Sequence, residues 1–142
     1  MMITLMVAVL MLWAGADSSG LQAVPEGTHR DADGPVEMCG LKAEDVPALR
    51  VAAVASTQLR SVPIESDRFE LFASPDQNFQ LLFTLPAEAA YPAATCRHVY
   101  EQDGYLRMSR SMRCEVGRAE CDALFLEVQA LDSQLTSALR NQ

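Results

Sequence analysis

Four cysteines, Cys39, Cys96, Cys114 and Cys121, constrain this 142-residue chain more than any other feature. Four cysteines can be joined in three ways, and each way ties different parts of the chain together. Their separations of 57, 18 and 7 residues include no close C-x2-C pair, so no structural metal site is expected. An even set without close pairs reads as a disulfide framework, which forms and persists in oxidising compartments.

The N-terminus points to the same compartment. Ile3 to Leu12 is apolar apart from Thr4, Trp13 follows, and Ala14-Gly15-Ala16 has the small-x-small pattern of a signal-peptidase site. The run is shorter than the roughly 20 residues that span a bilayer. No Lys or Arg precedes it, and no cysteine follows closely enough to carry a lipid. We expect a signal peptide over 1–16 and cleavage after Ala16, leaving 142 − 16 = 126 residues in the periplasm or outside the cell. A retained anchor and a buried N-terminal element are the alternatives.

Residues 17–37 carry Ser18, Ser19, Gly20, Pro25, Gly27, Gly34 and Pro35, with five acids against Arg30, and show no period of 2 or 3.6. They read as a flexible acidic lead, with one disulfide-stabilised domain over 38–142. All 11 basic and 19 acidic residues follow the expected cleavage site, so the charge of −8 belongs to the mature protein. That charge opposes sequence-independent nucleic-acid binding, which rests on neutralising phosphates.

Within the domain, Asp45 is placed to cap a helix with Pro47 in its first turn, turning Val46, Leu49, Ala53 and Leu59 inward. Arg68–Ser74 and Phe79–Leu85 read as strands joined by Pro75-Asp76-Gln77-Asn78. Thr95–Glu101 and Tyr105–Arg113 flank Gln102-Asp103-Gly104, which suits a three-residue loop ending in a glycine bulge. That loop pairs Tyr100 with Leu106, His98 with Met108 and Cys96 with Arg110. One face then carries Cys96, His98, Tyr100, Leu106, Met108, Met112 and Cys114 toward the core. The other carries Arg97, Val99, Arg107, Ser109, Ser111 and Arg113. From Glu120 to Arg140, Leu124, Val128, Leu131, Leu135 and Leu139 recur at helical spacing. The expected fold is α+β: a four-stranded antiparallel sheet of two hairpins, with an N-terminal and a C-terminal helix packed on one face.

This layout selects a pairing. In the expected register Cys96 lies four residues short of Cys114, too far for a bond. Cys114 ends a strand, Gly117 permits a turn and Cys121 opens the last helix. Cys114–Cys121 and Cys39–Cys96 are therefore expected, with Cys39–Cys121 as the competitor.

Chemistry has little to draw on. His29 lies in the lead and His98 on the expected core face, so a zinc set or a Ser-His-Asp arrangement finds little support. The cysteines are better used as bridges than as nucleophiles. Asp67 with Glu70, and Glu101 with Asp103, read first as surface and turn residues. No cofactor is implied and no metal site is expected.

The feature with most character is a set of arginines on the outer hairpin face, Arg97, Arg107 and Arg113, with Tyr105 beside them and Arg118 just beyond. In an acidic protein such a patch suits an acidic partner or anionic membrane headgroups. The expected function is a protein-binding module rather than an enzyme, acting as inhibitors and toxin-neutralising immunity proteins do. An accessory subunit of a bacterial envelope or secretion assembly is the alternative, and a small hydrolase with an acidic site is weaker. A homodimer is left open.

Overall fold

A computed structural model of the chain describes residues 28, 29 and 34–140. The expected signal peptide over 1–16 and most of the expected lead lie outside the described residues. The elements run β1 (Thr28–His29), β2 (Val36–Met38), β3 (Leu41–Ala43), α1 (Val46–Ala55), β4 (Arg60–Val62), β5 (Phe69–Ala73), β6 (Phe79–Thr84), β7 (Ala93–Gln102), β8 (Tyr105–Cys114) and α2 (Arg118–Arg140). Val36 and Met38 are buried in the core, so the folded part begins before residue 38.

Strands β4 to β8 form an antiparallel sheet in sequence order, and the two residues of β1 lie parallel to β8 opposite Met112 and Arg113. This is α+β, as expected, but with five antiparallel strands in place of four and a separate β2–β3 hairpin. The three-residue strands β2, β3 and β4 are too short for an alternating pattern to reveal them.

The larger correction concerns the helices, which cover opposite faces of the sheet. Val46, Leu49 and Ala53 of α1 pack with Val36 and Met38 of β2 against Phe72, Leu81, Phe83, Ala94 and Cys96. Cys121, Leu124 and Val128 of α2 pack against Ala90, Ala93, Met112 and Cys114. Ala93 and Ala94 are neighbours on one strand, so these two cores lie on its two sides. Burial on both faces explains why β6, Phe79-Gln80-Leu81-Leu82-Phe83-Thr84, is apolar at nearly every position.

The faces differ from expectation because the β7–β8 turn is one residue shorter than expected. Asp103 and Gly104 have φ of 54° and 79°, both in the left-handed region, forming a two-residue type I′ loop. Gln102 therefore pairs with Tyr105, and Cys96 with Ser111. A one-residue slip turns one strand over relative to the other. Cys96, His98 and Tyr100 share the α1 side with Arg107, Ser109, Ser111 and Arg113. Arg97 and Val99 share the α2 side with Leu106, Met108, Arg110, Met112 and Cys114.

Both expected disulfides are present, Cys39–Cys96 across 57 residues and Cys114–Cys121 across 7. The first ties the β2–β3 turn to β7 and the second ties the end of β8 to the first turns of α2. Further cross-ties are polar. Arg50 of α1 holds Glu70 of β5 through Nε at 2.5 Å and Nη2 at 3.0 Å. Arg68 reaches Glu88 and also forks onto Glu127 of α2 at 2.9 and 2.7 Å. These contacts raise the Arg68 pKa and lower that of Glu127, whose main cause is the Arg68 hydrogen bond.

Helix α1 begins as its sequence predicts. The Asp45 side chain accepts a hydrogen bond from the Ala48 N–H at 2.8 Å, and Pro47 lies in the first turn. Asp45→Ala will lower stability by about 1 kcal/mol in urea denaturation, the usual worth of such a cap. No change beyond experimental error would show that the cap contributes nothing.

Candidate interaction site

The β7–β8 hairpin is twice as long as the sheet it belongs to needs. Each strand has ten residues, whereas pairing with β6 ends at Phe79 opposite His98. Beyond that point Val99–Gln102 and Tyr105–Met108 continue as a two-stranded arm. Asp103 tolerates the left-handed conformation better than most residues, and Gly104 has no Cβ to oppose it, so the Asp-Gly turn closes the arm tightly.

The arm is apolar at its end. Tyr105 is 69% exposed and Leu106 63% exposed, so the tip presents an aromatic and an aliphatic side chain to solvent. On the α1 side the Phe79 ring stacks on His98 at 4.3 Å, and His98 lies 5.1 Å from Tyr100. A row of half-buried rings thus leads out of the sheet toward Tyr105. His98 joins this row rather than the packed core, and its stacking on Phe79 was not legible because it depends on the β6–β7 register. The outer edge of β8 from Tyr105 to Ser111 has no strand partner among the described residues.

The arginines expected to form one patch are dispersed. Arg113 is buried on the α1 side, where its guanidinium donates to the Gly34 carbonyl at 2.9 Å and to Glu115 at 3.4 Å. Arg97 points to the opposite face. Arg107 is exposed on the arm opposite Tyr100. Arg118 opens α2 with its side chain 82% exposed, 3.9 Å from Asp122. Tyr105 and Arg107 are brought together, while Arg97, Arg113 and Arg118 are each placed elsewhere.

Arg97 instead belongs to a cluster that sequence reasoning missed. It lies directly across from Arg110, both beneath α2. Arg110 donates to the two oxygens of Asp132 at 2.5 and 2.6 Å and to Thr95 Oγ1 at 2.6 Å. Arg97 Nη1 lies 3.8 Å from the same carboxylate, and Nη2 donates to Gln80 Oε1. Two guanidiniums therefore share one carboxylate, leaving an excess positive charge in a largely buried place. Burial, and then the charge of Arg110, lower the pKa of Arg97. Asp132 occupies the inward stripe of α2, and Leu131, expected there, is 48% exposed. The signal available in the sequence was an acid within a leucine stripe.

Among the described residues no group of three His, Cys, Asp or Glu side chains is arranged to hold a metal ion. No helix of the described residues is long and apolar enough to cross a membrane. The chain matches no protein-family model, no curated protein and no solved structure in comparison with known proteins.

Proposed function

We propose that this protein is an exported protein-binding module whose β7–β8 arm is its contact with the partner. One observation carries the reading: the arm extends past the sheet that supports it and ends in exposed Tyr105 and Leu106. Exposed aromatic and aliphatic side chains on a rigid hairpin supply contact area at low entropic cost, and aromatic anchors dominate binding energetics. The open edge of β8 adds backbone donors and acceptors, so a partner strand can be added alongside the same residues. Exposed charge on the arm is mixed, Glu101 and Asp103 with Arg107, so the partner is recognised by shape and apolar area more than by net charge.

Export is supported by the two disulfides together with the apolar N-terminal run. Inhibition or toxin neutralisation is the form of binding we favour, because a small doubly bridged scaffold presenting one rigid arm suits the covering of a partner's surface. An accessory role in an envelope assembly is the second form, and the identity of the partner separates them.

The test places a photo-crosslinking phenylalanine analogue at Leu106 and exposes the protein to envelope and culture fractions of its source cell. One discrete crosslinked protein is expected. With that partner purified, Tyr105→Asp/Leu106→Asp will bind at least about 30-fold more weakly while unfolding at the wild-type urea midpoint. Equal dissociation constants for the two proteins would remove the arm from the interface and end this reading.

A further inference from the structure

The side of the sheet facing α2 is not fully covered. Toward the β4 edge lies a groove of about 380 Å3, lined by Val62, Pro63, Leu71 and Ala73 on its apolar floor and by Arg60, Ser61, Gln77 and Gln80 around it. Its size is within the range of small-molecule sites. No carboxylate lines it, in a chain whose formal charge is −8. Arg60 stands at its rim. At its inner end is Gln80, and behind Gln80 is Arg97.

The donors of Arg97 are only half used. An arginine presents Nε–H and Nη2–H side by side, a fork that fits the two oxygens of one carboxylate. Arg50 fills that pair of donors with Glu70, and Arg110 fills the same pair with Asp132. Arg97 meets the single amide oxygen of Gln80 at Nη2, and its Nε is buried without an acceptor. A buried, unmet donor on a charged group is costly. Asp132, already held by Arg110, leaves one of the two positive charges uncompensated.

We propose that the groove binds a medium-chain carboxylate, whose head displaces the Gln80 amide and occupies the Nε/Nη2 fork of Arg97. Its apolar chain lies over Leu71, Ala73, Val62 and Pro63, and Arg60 adds attraction at the mouth. The site is independent of the arm, which lies at the far end of the hairpin, so ligand binding and partner binding can succeed or fail separately.

Octanoate, with octanol as its uncharged counterpart, tests the proposal on the 15N-labelled full chain by amide chemical-shift titration. Octanoate will give saturable shifts confined to β4, β5, Gln80 and Arg97, and octanol will bind about tenfold more weakly or less. Gln80→Glu supplies the missing second oxygen from within the chain. This variant will fold, unfold at a higher urea concentration than wild type, and lose octanoate binding by about tenfold or more. Arg60→Gln, at an exposed position, will weaken octanoate by a few-fold without altering the urea midpoint. Equal binding of octanoate and octanol, undiminished octanoate binding to Gln80→Glu, or no saturable shift in these strands would each overturn the proposal.

Discussion

Replacing Cys39 and Cys96 together by alanine will lower the unfolding free energy by about 4 kcal/mol, and replacing Cys114 and Cys121 by about 2 kcal/mol. The difference follows from the loops the bridges close, 57 residues for the first and 7 for the second. A longer closed loop removes more freedom from the unfolded chain. Position reinforces the ranking, since three-residue strands cannot stand alone and the bridge adds a covalent tie to the core packing of Val36 and Met38. Total stabilities of single domains are about 5–15 kcal/mol, so the first loss is a large share of the whole. Urea denaturation of the two double variants provides the measurement. A larger loss from the short loop would mean that the bridges act through native packing rather than through the unfolded chain.

Asp132→Ala will cost about 3 kcal/mol, the usual scale for removing one member of a buried ion pair. The carboxylate faces two guanidiniums whose side chains are only 11% and 13% exposed, so solvent can replace little of what it provides. Its loss leaves Arg97 and Arg110 opposed on paired strands without a counter-charge. The check is a partner variant. Arg110→Met in the Asp132→Ala background removes one of the two unpaired charges and will restore part of the lost stability. A double variant less stable than Asp132→Ala alone would show that Arg110 contributes through packing and its Thr95 hydrogen bond, not through the charge pair.

What could be read from the residues depended on how locally each feature is decided. Helix α1 was legible because Asp45, Pro47 and the inward spacing of Val46, Leu49 and Ala53 all act within a few residues. The disulfides were legible because Cys114 and Cys121 lie at the adjoining ends of β8 and α2, a matter of element order that survives an error of one in register. The faces of the hairpin were not. Gln102-Asp103-Gly104 suits a three-residue loop with a glycine bulge as well as a two-residue Asp-Gly turn, and local chemistry does not separate them. The choice turns β8 over, sends Arg97 and Arg113 to opposite sides, and dissolves the patch they were expected to form. The same slip hid the Arg97–Arg110–Asp132 cluster, and with it the reason for an acid among the leucines of α2. The opposite placement of the two helices was hidden in the double burial of β6, which an alternating pattern does not report.

The bridge between Cys114 and Cys121 also governs how α2 can move. Among the described side chains of that helix, the buried ones, Cys121, Leu124 and Val128, all lie in its first half, and the covalent link sits at the start of the same half. Should the rest of the helix separate from the sheet, its return is a unimolecular event whose local concentration is set by a few residues of chain, not by diffusion. The helix is thus fastened like a hinged leaf: its far end is latched by the Asp132–Arg110 pair, while the bridge keeps its start beside the end of β8 even when that latch opens.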